Sequence, residues 1–169
     1  EENVKIATSI CEAARLDLFK TLIHYSSSEV YGTAKKIPMS EDHPLNPETP
    51  YAASKEAQDQ LVLSYYRTFK LDASIVRPFN TYGPRQSTEK FVGVIPATIM
   101  RALKGEDLVI QGDGEQTRDY IYVTDNVNGA VEICKFKNTR GKAINIATGK
   151  EVSINKLVRE IAENLNYKK

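Results

Sequence analysis

Short apolar runs recur along this chain, each followed by a segment with helical periodicity, and that alternation restricts the fold more than any other feature. Residues 22–26 read as a strand, and so do 73–79, 108–111 and 143–147. Pro78 sits near the end of its strand, where a missing ladder N–H is tolerated. Before the first strand, Val4, Ala7, Ile10, Cys11 and Ala14 recur at helical spacing. A second helix is expected over 51–69 on the stripe Ala53, Ala57, Leu61, Tyr65 and Phe69. Others are expected over 95–103, with Pro96 in the first turn, and from Thr124 or Asp125 as N-cap to Cys134. Ser153 is expected to cap a last helix whose Ile154, Leu157, Val158, Ile161 and Leu165 form one face. Strands and helices in alternation make an α/β fold.

The 169 residues, 41% of them hydrophobic and 27% charged, suffice for one sizeable core. Lys and Arg number 23 against 22 Asp and Glu, so no broad basic surface is available to grip nucleic acid. Without a charged-then-apolar leader or an apolar run near membrane length, no membrane association is expected. Cys11 and Cys134 lie far apart without metal-ligand spacing and read as buried free thiols, which suits a reducing cytoplasm. His24 and His43 also lack partners at metal spacing, so no metal is expected. The proline-rich polar stretch 35–50 reads as a long loop over a site or as plain surface coil.

The chemistry concentrates around Tyr51-Ala-Ala-Ser-Lys55, preceded by Tyr25-Ser-Ser-Ser-Glu-Val-Tyr-Gly32. A phenol titrating near ~10 is a poor base at neutral pH, but a lysine ammonium one helical turn away favours the phenolate. The i, i+4 spacing puts both side chains on one helix face, an arrangement that solvated helix faces also show. The strand ending in Ser26 adds hydroxyls where α/β sheets bind ligands, beyond strand C-termini.

Three further segments follow in order: Ser74-Ile-Val-Arg-Pro-Phe-Asn-Thr-Tyr-Gly-Pro-Arg85, Gly112-Asp-Gly-Glu-Gln-Thr-Arg-Asp119 and Tyr120-Ile-Tyr-Val-Thr-Asp125. With them the chain resembles the extended short-chain dehydrogenase/reductase family, and within it the NAD-dependent nucleotide-sugar epimerases, dehydratases and decarboxylases. The resemblance runs from about Asn3 to Leu165. It implies part of a Rossmann-like doubly wound parallel sheet plus part of a smaller C-terminal substrate-binding domain. Residues 1–92 would be the C-terminal half of the NAD-binding domain; 93–169 would mix nucleotide-sugar-binding segments with a returning strand and helix. Members carry a G-x-x-G-x-x-G strand-to-helix turn that meets the pyrophosphate of NAD. The sequence has no such turn, so it reads as the middle and later part of a longer enzyme and by itself is expected to bind NAD poorly and to be inactive.

The resemblance also implies roles. Tyr51 would take the proton from the sugar C4 hydroxyl while NAD accepts the C4 hydride, and Lys55 would lower the tyrosine pKa and hold the nicotinamide ribose. Ser27 matches the serine or threonine that hydrogen-bonds the C4 oxygen; Ser26 is placed near the cofactor or as a strand-end cap, and Pro78 and Phe79 would border the nicotinamide. Glu29 is either the base that removes the C5 proton of a 4-keto sugar or a helix-start carboxylate. Asn80 and Arg118 match positions on the nucleotide diphosphate, with a plain turn and an Arg118–Asp119 pair as the alternative. Gly93, Val94, Val109 and Ile110 would lie about a uracil or thymine base, and Arg85 would reach sugar or phosphate or brace its loop. The helices at 1–15 and 51–69 resemble a dimer-forming pair.

Ser27-Ser28-Glu29 favours C4 oxidation followed by 4,6-dehydration of a UDP- or dTDP-linked sugar, although other 4,6-dehydratases have aspartate at the position of Ser28. A UDP-sugar 4-epimerase, a UDP-glucuronate decarboxylase and a noncatalytic dimerising fragment are the alternatives.

Overall fold

A computed structural model describes residues 2–89 and 93–168. Helix α1 (Glu2–Arg15) leads into strand β1 (Leu22–Tyr25) and a short 3-10 turn (Ser28–Tyr31). Helix α2 (Pro50–Phe69), strands β2 (Ala73–Pro78) and β3 (Asn80–Tyr82) and helix α3 (Val94–Lys104) follow. After them come β4 (Thr117–Arg118), β5 (Tyr120–Tyr122), α4 (Val123–Lys135), β6 (Ala143–Ile146), β7 (Val152–Ser153) and α5 (Ile154–Asn164). Contacts divide the chain into two compact units, Glu1–Phe79 with Thr124–Ala147, and Asn80–Val123 with Thr148–Lys169.

In the first unit β1, β2 and β6 form a parallel sheet in that order, with Leu22 opposite Ala73 and Ile75 opposite Ala143. The central strand β2 is buried over Ala73–Arg77, as a parallel strand covered on both faces must be. Its alternating side chains divide between the faces. Ala73 and Ile75 join Cys11, Val62 and Leu71 in a core beneath α1 and α2, whereas Ser74 meets Thr139 beyond α4. Gly129 of α4 lies against Ile146 of β6, so helices cover both faces of the sheet. This is the α/β, doubly wound parallel arrangement that the alternation and the resemblance imply.

In the second unit β3 pairs with β5 in parallel and β4 with β7 antiparallel, and α3 packs on α5. Ser153 caps α5 as expected, its side chain accepting from Lys156 N at 3.2 Å.

Several sequence expectations need correction. Residues 108–111 form no strand among the described residues: the run has no ladder partner, and glycines at 105 and 112, both with positive φ, isolate it. Helix α4 begins at Val123, so Thr124 and Asp125 lie inside its first turn rather than capping it. The buried face of α2 is Ala52, Gln58, Asp59 and Val62, not the expected stripe, because two polar residues occupy interior positions. Ala53, Ala57 and Phe69 of that stripe are exposed, and so is Ile10 of α1. Cys11 is buried, its thiol pushed up to about 11 by burial and by Glu12, but Cys134 is exposed. Stretch 35–50 is irregular and is tied down by polar contacts: Asn145 Nδ2 donates to the Met39 carbonyl at 3.0 Å, and its backbone N–H to Glu41 Oε1 at 2.9 Å. No helix among the described residues is long and apolar enough to cross a membrane.

Candidate active site

Within the first unit the C-terminal end of β1 and the start of α2 bring the acid–base candidates together. Thr49 fixes where α2 begins, its hydroxyl accepting from Ala52 N at 3.1 Å, and Pro50 occupies the first turn, where no N–H is needed. Tyr51 is thereby presented on the first turn with about half its surface exposed (48%). Ser27, with extended backbone, caps the 3-10 turn, its Oγ accepting from Glu29 N at 3.2 Å. The same hydroxyl is close enough to the Tyr51 phenol to favour its ionised form, and the exposed Glu29 carboxylate is close enough to oppose it. Ser27, Glu29, Tyr51 and Lys55 are therefore neighbours.

The direction of the Tyr51 titration differs from the expectation. Burial pushes the phenol above its ordinary value, more than the Ser27 hydroxyl pulls it down. Lys55 Nζ stands 5.9 Å from the Tyr51 ring centroid and donates instead to the Tyr25 carbonyl at 2.9 Å. Its charge is directed along the strand end rather than at the phenol oxygen. Burial lowers the Lys55 ammonium from its ordinary value, with Asp59 acting in opposition.

Ser26 is buried (5%) beside the Asp59 carboxyl. Pro78 and Phe79 are half-buried at the C-terminal end of β2, with Phe79 N bonded to the Ile146 carbonyl at 3.0 Å.

In the second unit an open cleft of about 520 Å³ collects Asn80, Gly93, Val94, Val109 and Arg118, five of the seven residues assigned to substrate. Ile110 and Arg85 do not line it; Arg85 is exposed in a turn with φ 67°. Gly93 and Val94 begin α3, whose free N–H groups and dipole favour an anion. Asn80 Nδ2 donates to the Asp119 carbonyl at 3.1 Å. The expected alternative of an Arg118–Asp119 pair is absent among the described residues: Asp119 accepts from Thr148 N and Oγ1 and from Gly149 N, and Arg118 donates to the Thr117 carbonyl. Its exposed guanidinium thus has no acidic partner among the described residues. Gly112 and Gly114 both take φ 75°, as a tight turn before that arginine requires.

Sequence reasoning missed Asp59, Arg77 and Tyr31, which form a buried polar cluster under the Tyr51/Lys55 helix. The available signals were an aspartate four residues after Lys55 and an arginine inside the apolar run at 73–79. Arg101, a second guanidinium lining the cleft, was also missed. Among the described residues no group of His, Cys, Asp and Glu is arranged to hold a metal ion.

A helix-covered parallel sheet with Tyr and Lys at one strand end defines the chain as a Rossmann-type α/β protein. It belongs to the NAD dependent epimerase/dehydratase family, whose model matches residues 1–147. The UDP-glucose 4-epimerase of Mycolicibacterium smegmatis is 39% identical over 161 residues, covering 95% of this chain and 51% of that protein. The UDP-N-acetylglucosamine 4-epimerase structure from Methanobrevibacter ruminantium superposes with a TM-score of 0.92 at 34% identity, over 97% of this chain and 53% of that one. The dTDP-glucose 4,6-dehydratase of Bacillus anthracis, solved in complex with NAD, gives 0.90 at 33% identity, over 99% and 53%. The chain spans about half the length of the relatives it matches.

Proposed function

We propose that this chain carries acid–base and nucleotide-binding residues of an NAD-dependent enzyme that oxidises a UDP- or dTDP-linked sugar at C4 and then eliminates water across C5 and C6. The observation that carries this reading is the grouping of Ser27, Glu29 and Tyr51 at one strand end, where the Ser27 hydroxyl and the Glu29 carboxylate both act on the Tyr51 phenol. Among the described residues Lys55 uses one N–H on the Tyr25 carbonyl, and the donors left over suit a ribose diol, so the residues present fit the nicotinamide-ribose end of NAD. NAD bound there would take up and return the electron pair of the sugar C4–H bond. Tyr51 accepts the C4 hydroxyl proton as its phenolate, Ser27 hydrogen-bonds the C4 oxygen, and Lys55 supplies positive charge and holds the ribose. The resulting ketone acidifies C5–H, and Glu29 removes that proton. The freed pair forms the C5=C6 bond as the C6 hydroxyl takes the proton held on Glu29 and leaves as water; return of the C4 hydrogen with its electron pair to C6, and of the proton first taken by Tyr51 to C5, gives a 4-keto-6-deoxy sugar. Arg118, Asn80 and the start of α3 would meet the diphosphate, and Val109 the base.

On this reading residues 1–92 belong to the NAD-binding domain, residues 93–169 mix substrate segments with a returning strand and helix, and the protein acts in the cytoplasm. The 169-residue chain alone is expected to lack turnover, since its sequence holds no glycine-rich pyrophosphate turn. Exposed Ile6, Ile10, Ala53, Ala57 and Phe69 on α1 and α2 support a homodimer through those helices. A UDP-sugar 4-epimerase is the second reading, favoured by the identity to 4-epimerases; it leaves Glu29 without a chemical task. Incubating the intact protein with UDP-glucose, UDP-N-acetylglucosamine and dTDP-glucose, with products read by mass spectrometry and sugar NMR, tests both. Loss of one water supports dehydration; unchanged mass with inverted C4 replaces it with epimerisation.

A further inference from the structure

One turn beyond Lys55 on α2, the side chain of Asp59 is fully buried, and the chemistry above does not use it. Its Oδ2 accepts from Arg77 Nε at 3.0 Å and forms an ion pair with Arg77 Nη2 at 2.9 Å. Arg77 Nη1 donates to the Tyr31 hydroxyl at 2.9 Å, and that hydroxyl donates to Asn145 Oδ1 at 2.7 Å. Asp59 Oδ1 has no hydrogen-bond partner of good geometry; it lies 3.7 Å from His24 Nε2 and beside the Ser26 hydroxyl. A buried ion pair is commonly no more stabilising than an apolar pair of the same volume, so stability alone is a poor reason for this one. Its connections supply another. Tyr31 belongs to the turn that carries Glu29 and is capped by Ser27, whereas Asp59 stands on the helix that carries Tyr51 and Lys55.

We propose that Asp59 is a positioning residue for the Tyr51/Lys55 motif: clamped by Arg77, its carboxylate supports the Lys55 ammonium from inside the fold and, through Arg77 and Tyr31, holds α2 in place against the Ser27–Glu29 turn. This rests on the reading of Tyr51 and Lys55 as the acid–base pair. The titratable groups facing Lys55 are Tyr51 and Asp59 on α2 and His24 and Tyr25 on β1; Arg77 on β2 and Tyr31 on the turn stand behind Asp59, and Glu29 acts on Tyr51. On α1, Glu12 engages Arg15 and Tyr65, about 15 Å along α2 from Lys55 at 1.5 Å per residue. His24 is pushed down to about 4 by burial and by Lys55 itself, so it is neutral at physiological pH. Burial works against the Lys55 charge, and Asp59 is the group that offsets it.

The test reads Lys55 directly: competitive acetylation of amines across pH in the intact protein, resolved by peptide mass spectrometry, works whether or not a sugar nucleotide is turned over. Asp59→Asn should lower the Lys55 labelling midpoint by roughly one pH unit. Asp59→Glu should restore it. The double variant Asp59→Leu/Arg77→Met, which leaves no buried charge unpaired, should show a smaller drop of the same sign in a folded protein. The alkaline limb of kcat/KM should move to lower pH with the midpoint. A midpoint unchanged in the double variant overturns the proposal even if activity falls. A shifted midpoint in a protein without sugar-nucleotide activity upholds it and defeats the functional reading instead.

Discussion

At the residue scale, Tyr51 is the proposed proton acceptor and His24 carries an acid liability. Burial holds the Tyr51 phenol above its ordinary value, so ionising it is part of what the proposed reaction must supply, and Tyr51→Phe removes the hydroxyl proposed to exchange the sugar proton. The expected outcome in the intact protein is a kcat lower by roughly 10²- to 10⁴-fold with sugar-nucleotide affinity retained, read by steady-state kinetics and calorimetry. For His24 the sign follows from linkage. Its folded value, about 4, lies below the ordinary 6.5, so unfolded chains bind the extra proton first. The stability it contributes is present above pH 6.5 and is lost as pH falls toward 4, by up to about 3 kcal/mol. Denaturant unfolding at pH 7 and pH 4.5 should show that loss, and His24→Gln should reduce it; an equal loss in both proteins would sink the idea. The sequence made Tyr51, Lys55, Ser27 and Glu29 legible because short spacings place them on one helix face and one strand end. It hid Asp59 and Arg77 because an ion pair 18 residues apart exists only once α2 packs on β2.

At the element scale the same contrast recurs. Ser153, Pro50 and the glycines of 112–114 announce local geometry, so the helix start and the turn were readable. Strand status at 108–111 depends on a ladder partner that no local pattern reveals, and the short strands β3, β4, β5 and β7 went unseen for the same reason. On α2, periodicity selected an apolar stripe of which Ala53, Ala57 and Phe69 face outward, because Gln58 and Asp59 made the interior face look polar. The elements framing the site give a graded prediction. Thr49→Ala removes the α2 cap bond and should cost about 1 kcal/mol in urea unfolding. Gly32→Ala is more severe: the residue has φ 65°, and a Cβ there would sit 2.1 Å from the Asn46 carbonyl oxygen, which is backbone. The turn carrying Ser27 and Glu29 must then shift, so the loss should exceed about 2 kcal/mol and be accompanied by loss of turnover.

At the scale of the whole molecule, the candidate residues divide between the two contact units: the acid–base candidates belong to the first, the candidate substrate cleft to the second. The chain changes unit at 79/80, 123/124 and 147/148, so no single cut of the sequence separates them. That interleaving is why a division near residue 92 was the simplest sequence reading. If the second unit provides nucleotide binding and the first provides chemistry, substitutions should separate along kinetic lines. Arg118 is exposed, lines the cleft and has no acidic partner among the described residues, so its guanidinium is available to a diphosphate. A charge-assisted hydrogen bond of this kind contributes roughly 1.5–3 kcal/mol, about 10- to 100-fold in affinity. Arg118→Ala should therefore raise KM by that factor and weaken UDP binding measured by calorimetry, while kcat changes by less than about threefold. Arg118→Lys should restore part of the affinity, since a point charge replaces a two-pronged donor. An unchanged UDP affinity in Arg118→Ala would remove Arg118 from the binding site, and a fall confined to kcat would place it with Tyr51 in the chemical step.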